Sequence, residues 1–150
     1  MRRAIVLAQN GIDSNAGGPF GAVVVKDDKI IAEGCNRVTS TNDPTAHAEV
    51  VAIRNACRKL NSFQLDDCSI YTSCEPCPMC LGAIYWARPK QVFFAATRRD
   101  AAIIGFDDQF IYEEIAKDFD GRQLKIVNLM RDEALIVFQN WANKPDKTEY

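Results

Sequence analysis

Two short stretches constrain this chain more than any other feature: Thr45-Ala46-His47-Ala48-Glu49 and Cys74-Glu75-Pro76-Cys77-Pro78-Met79-Cys80. The first holds the only histidine among 150 residues, two positions before a carboxylate, and the second holds a Cys-x-x-Cys pair directly after a proline. One imidazole and two thiolates on a single zinc ion require a fold that brings two distant segments to one point. Three protein ligands also leave a tetrahedral zinc one position open for water, which separates a catalytic site from a closed structural one. Glu49 is the group placed to handle that water's protons.

A histidine alone on a helix is more often structural than metal-binding, so His47 by itself would carry little. The joint order, His-x-Glu followed by Pro-Cys-x-x-Cys, reverses that weight, because it is the signature of the zinc nucleobase deaminases. The cysteines at 35, 57, 68, 74, 77 and 80 offer more thiols than the site needs. Cys74 and Cys77 also form a Cys-x-x-Cys, and a closed site of His47, Cys74, Cys77 and Cys80 would be structural zinc without room for water. Cys77 and Cys80 are preferred, since they follow the proline and share one face of a helix. Thiolates at a helix N-terminus are favoured by its dipole and free amides. The expected cofactor is therefore one zinc ion per chain. Cys35, Cys57 and Cys68 read as small buried hydrophobes.

With 47% hydrophobic and 25% charged residues, the chain reads as one domain over residues 1–150, with 143–150 as a polar tail. The formal net charge is -2 and the basic residues are scattered. A protein that grips a phosphate backbone usually carries a basic stripe, so a nucleic-acid partner is not expected and a small molecule is. No apolar run approaches membrane-spanning length, and Met1 to Ala8 is too short an apolar stretch for an export signal. Reduced cysteines and a cytoplasmic location follow as expectations.

The chain opens on a fragment of amphipathic helix, Ala4 to Leu7, which starts abruptly at Met1, and a loop from Gly11 to Pro19 follows. Runs 21–26 and 29–34 are rich in β-branched residues and flank Asp27-Asp28, which predicts a tight hairpin. Asp43-Pro44 predicts the start of a helix reaching Leu60, with Asp43 as its cap. A strand at 68–72, a helix from Pro76 or Pro78 to Trp86, and strands at 91–95 and 124–129 come next. A short helix near 111–116 and a last one at 132–142 complete the pattern. Strands alternating with helices predict a sheet covered on both faces, and the opening hairpin makes that sheet mixed.

Four motifs carry a resemblance to a known family: Pro19-Phe20-Gly21-Ala22-Val23, Asn42 to Glu49, Cys74 to Trp86, and Gly105-Phe106-Asp107-Asp108. The chain resembles the bacterial guanine deaminases of the cytidine deaminase-like superfamily over nearly its whole length. The resemblance implies an α/β fold, a three-layer α/β/α sandwich around a five-stranded mixed sheet. It also implies hydrolysis of guanine to xanthine and ammonia, in a homodimer whose C-terminal segments exchange so that each tail closes the neighbour's pocket. By the same resemblance His47, Cys77 and Cys80 hold the zinc, Glu49 shuttles protons, and Phe20, Asn36, Asp108 and Tyr150 contact the base.

Elementary chemistry supports part of this assignment. Guanine presents two adjacent donors, the N1 hydrogen and the 2-amino group, and an ionised carboxylate only accepts. Asp108 would suit guanine and disfavour adenine, whose N1 is an acceptor. Phe20 offers a stacking face, and Asn36 offers both a donor and an acceptor. Three alternatives stay open: a deaminase of guanosine, a deaminase of the tRNA wobble adenosine, and a non-catalytic zinc-stabilised domain.

Overall fold

The computed structural model describes residues 1–150, which divide into two compact units, Met1–Asp108 and Gln109–Tyr150. In the first unit, β1 (Gly21–Lys26) and β2 (Lys29–Cys35) form the expected hairpin. Asp27 and Asp28 both take positive φ, 49° and 59°, as a two-residue turn matched to strand twist requires. β3 (Ser69–Cys74) joins β1 antiparallel, and β4 (Gln91–Ala96) joins β3 parallel, giving the order β2-β1-β3-β4.

The hairpin register assigns the two faces. Gly21 is opposite Cys35 and lies against α1 (Arg2–Asp13), where an added Cβ would sit 2.2 Å from the Ala4 carbonyl oxygen. Ala22 is opposite Gly34, and a Cβ on Gly34 would sit 2.3 Å from the Ala48 carbonyl oxygen of α3 (Ala48–Leu60). Neighbouring strand residues point to opposite faces, so α1 and α3 cover opposite sides of the sheet. On the α3 side, Ala22, Val24, Ala52, Ala56, Ile70 and Ile84 form the buried core together with α4 (Pro78–Ala87). Glycine and alanine at the crossings let helix backbones approach the sheet closely.

Several sequence expectations are corrected. The sheet has four strands, not five: residues 124–129 form no ladder, although their apolar side chains suit a strand. A strand exists only where its backbone groups find a partner, and β4 pairs on one side only, with β3. The first helix runs to Asp13 rather than ending near Leu7, because it buries small residues, Ala4, Ala8 and Gly11, and leaves Ile5, Val6 and Ile12 outside. α3 starts at Ala48, not at Pro44. Asp43 accepts bonds from the Thr45 amide and hydroxyl at 2.8 and 2.7 Å, which closes a turn instead of capping a helix. A short α2 (Val38–Thr41) precedes it, ended by Asn42 at φ 50°. α5 (Arg98–Ile103) is additional and opens on a capping box between Thr97 and Asp100.

The second unit holds α6 (Gln109–Ile115), a 3-10 turn at Phe119–Gly121 and α7 (Arg131–Ala142). Glu114 accepts from the Gln123 amide at 2.7 Å, and Arg122 donates to the Ile115 carbonyl, so the chain beyond the turn folds back on α6. α7 buries none of its residues, and Ile136, Val137, Phe138 and Trp141 are exposed on it.

Candidate active site

Two helix N-termini build the site. His47 is the N-cap of α3 and Cys77 the N-cap of α4, both with extended backbone, and Pro78 occupies the first helical position of α4. Proline costs nothing there, since its missing N–H would have had no partner. Neither side chain makes a capping bond to its helix, and both turn towards the same point. His47 Nδ1 is 3.6 Å from Cys77 Sγ and 3.4 Å from Cys80 Sγ, and one ligand atom from each of the three residues falls within 4.8 Å of the others.

Those separations fit zinc. A tetrahedral ion with Zn–S and Zn–N bonds of about 2.3 and 2.0 Å holds its nitrogen and sulfur ligands about 3.5 Å apart. The thiol chemistry fits as well. The Cys77 thiol is held down to about 4, first by the hydrogen bond from Cys80 and, against its burial, by His47. Cys80 is pushed well above the ordinary thiol range, chiefly by Cys77 and by burial. Zinc would bind both cysteines as thiolates, the form that the depressed pKa already favours at Cys77.

Glu49 sits in the first turn of α3, only 5% exposed, and burial raises its pKa above the usual carboxylate range. Its two oxygens have different neighbours. Oε2 accepts from Cys80 Sγ at 3.4 Å, and Oε1 accepts from the Thr72 hydroxyl at 3.3 Å. Residues two apart on a helix do not share a face, and the extended backbone at His47 resolves the difficulty. His47 precedes the helix and reaches back, while Glu49 points inward from it.

Cys74 lies outside the cluster. Its thiol donates to the Thr97 carbonyl at 3.6 Å and is pushed up to about 11 by burial and the nearby Glu49. Cys35, Cys57 and Cys68 are free, Cys68 buried and the other two half-buried.

Asn36 is 5% exposed, and its Oδ1 accepts from the Gly18 and Val38 amides, each at 3.2 Å. Both acceptor positions of its oxygen are thereby taken by backbone amides. Phe20 meets Phe106 edge-on, with ring centroids 4.9 Å apart and planes at 87°. Asp108 has its pKa raised by burial and by Cys77, so it lies within electrostatic reach of the His47, Cys77 and Cys80 cluster. Tyr150 ends the second unit with its side chain 67% exposed.

Sequence reading alone does not single out Thr72, Phe106 or Gly17 as parts of the site. Thr72 is hidden in an ordinary strand. Phe106 has a signal in the Gly105-Phe106-Asp107-Asp108 run, where Gly105 takes φ 90°. Gly17 has one too, in the Gly17-Gly18 pair: a Cβ there would fall 2.2 Å from Asn36 Oδ1.

Comparison with known proteins agrees with this geometry. Residues 1–96 match the model of the cytidine and deoxycytidylate deaminase zinc-binding region. The chain is 60% identical to the guanine deaminase of Bacillus subtilis over 150 residues, 100% of this chain and 96% of that protein. The crystal structure of that enzyme superposes with a TM-score of 0.97, covering 99% of this chain and 95% of the other. A guanine deaminase structure from Nitrosomonas europaea superposes with a TM-score of 0.68 at 30% identity, covering 93% and 80% of the two chains. A tRNA-specific adenosine deaminase of Buchnera aphidicola is 35% identical over 130 residues, 86% of this chain and 83% of that protein.

Proposed function

The chain belongs to the cytidine and deoxycytidylate deaminase zinc-binding family and is a zinc-dependent deaminase; we propose that its substrate is guanine, hydrolysed to xanthine and ammonia. The observation that carries this reading is that similarity to a guanine deaminase runs through both units, beyond the zinc-binding region that deaminases of other bases share. Adding water to guanine at C2 and expelling the 2-amino group as ammonia balances the reaction without any redox partner. It is a step in purine catabolism or salvage.

His47, Cys77 and Cys80 are the residues that hold zinc, which when bound supplies Lewis-acid activation of a water molecule. Glu49 accepts a proton from the attacking water and returns it to the departing nitrogen, which must leave as an amine rather than an amide anion. Its burial beside the ligand cluster keeps that proton away from bulk solvent. Asp108 accepts from N1–H and the 2-amino group, which places a carboxylate beside the leaving group. Asn36 serves as a donor towards an acceptor on the purine, since its oxygen is already bonded. Phe20, braced by Phe106, stacks on the ring.

Tyr150 contacts the base from a neighbouring subunit, in a homodimer formed by exchange of C-terminal segments. Three features support this: β4 has an unpaired edge, residues 124–129 carry strand-like side chains without a ladder, and α7 exposes an apolar face. In that assembly the second unit completes a single deaminase domain, with 143–150 as the closing tail. No helix is long and apolar enough to cross a membrane, and the six free cysteines suit a reducing cytoplasm.

Ammonia release measured against guanine, guanosine, adenine, adenosine, cytosine, cytidine and a tRNA bearing a wobble adenosine tests the proposal. Guanine should be the best substrate. A preference for guanosine or the tRNA would transfer the reading to that substrate, and silence on all of them with zinc bound would leave a zinc-stabilised domain.

A further inference from the structure

We infer that Thr72 is a positioning residue for the deamination, fixing Oε1 of Glu49 so that Oε2 alone is presented to the metal ligands. The inference rests on Glu49 being the proton shuttle. Thr72 lies in the middle of β3, paired with Ala22 of β1 and Phe94 of β4, and is 1% exposed. Its surroundings on that face are apolar, with Ala22, Val24 and Ile70 fully buried. Its hydroxyl has one hydrogen-bond partner in the structure, Glu49 Oε1 at 3.3 Å.

Valine would suit this position better on packing grounds alone. It has the same branched shape and a high strand preference, and it brings no hydroxyl to be stripped of water. A hydroxyl kept in such a core is explained by what it bonds, and here that is the carboxylate that the reaction uses. The geometry divides the labour between the two oxygens: Oε1 turns to the sheet, and Oε2 lies 3.4 Å from Cys80 Sγ, at the ligand cluster. A glutamate has three rotatable side-chain bonds, and its own helix offers the carboxylate the Glu49 backbone N–H. The sheet adds a side-chain partner from the opposite side, through Thr72. Base contacts are assigned to other elements, so loss of the hydroxyl should touch turnover and leave substrate binding alone.

The test compares Thr72→Val, Thr72→Ser and Glu49→Gln for zinc content, thermal stability, kcat and KM with guanine. Thr72→Val should keep its zinc, stability and KM while kcat falls by about ten- to a hundredfold, the usual loss when a partner that orients an active-site group is removed. Thr72→Ser, which keeps the hydroxyl and loses only the methyl group, should recover most of that rate. A Thr72→Val variant with the parent kcat, beside an inactive Glu49→Gln, would overturn the role of Thr72 and leave Glu49 in place. An active Glu49→Gln would instead remove the shuttle itself. A fall in kcat that tracks lost zinc or lost stability, with no rescue by serine, would overturn the inference by making Thr72 a structural residue.

Discussion

Gly34→Ala should cost activity far beyond its effect on stability, because Gly34 is where the sheet touches the helix that carries His47 and Glu49. A Cβ at Gly34 would sit 2.3 Å from the Ala48 carbonyl oxygen and 2.6 Å from the Ala52 nitrogen, both backbone atoms of α3. Backbone cannot rotate aside as a side chain can. Ordinary contact between such atoms begins near 3.4 Å, so α3 must withdraw by about 1 Å. Overpacking of this kind destabilises by about 1–3 kcal/mol, which for a chain of this size lowers Tm by roughly 2–4 °C per kcal/mol. The same 1 Å carries His47 and Glu49 with it, and misplacing reacting groups by that much costs about a hundredfold in rate. His47 Nδ1, now 3.6 and 3.4 Å from the Cys77 and Cys80 sulfurs, would also lose its fit to a shared metal ion.

Gly21→Ala is the matched control. Its Cβ would meet the Ala4 carbonyl oxygen at 2.2 Å, an equal clash on the opposite face, against a helix that carries no site residue. Calorimetry on both variants, with kcat for guanine and zinc content, separates the two effects. Similar losses of Tm should accompany a much larger loss of kcat for Gly34→Ala. Equal kcat in the two variants would refute the claim that this crossing sets the site's geometry.

Asp108→Asn should lower kcat/KM for guanine by about ten- to a hundredfold, since a hydrogen bond to a charged acceptor is worth about 1.5–3 kcal/mol; unchanged guanine kinetics would remove Asp108 from base recognition. Truncation after Lys144 deletes an exposed, polar hexapeptide, so Tm should barely move while guanine turnover falls on the order of tenfold or more. An unchanged rate would make the tail dispensable. Arg3 donates to both oxygens of Glu33 at 2.7 and 2.6 Å and holds that carboxyl below its ordinary value of 4.5. A depressed carboxyl pKa stabilises the fold above the unfolded value and loses that contribution as pH falls through the folded one. Arg3→Met should therefore be slightly less stable than the parent at neutral pH, and the gap should close in urea titrations carried out below pH 4.5.

The sequence is most legible where chemistry demands particular residues. His47, Cys77 and Cys80 meet because a zinc signature leaves few other arrangements, and the Asp27-Asp28 turn forms because only a few residue types accept positive φ. Packing against small residues is harder to read. α1 hides Ala4, Ala8 and Gly11 and shows its large apolar residues to solvent, so hydrophobic periodicity points to the wrong length. Asp43-Pro44 has the composition of a helix start, but the aspartate closes a local turn on Thr45, and sequence alone does not decide between two short-range bonds of the same type. The fifth strand fails for a different reason: residues 124–129 have the side chains of a strand, while pairing depends on an edge that composition cannot supply. Thr72 is invisible because its importance lies in a partner 23 positions away.

Isotope-labelled water tests hydrolysis of guanine at C2 most directly. Turnover of guanine by the zinc-loaded protein in H₂¹⁸O should yield xanthine carrying a single ¹⁸O at C2, with one ammonia released per xanthine formed. Xanthine without label, or ammonia out of step with xanthine, would contradict a mechanism in which Glu49 and the His47, Cys77 and Cys80 centre deliver water to the ring.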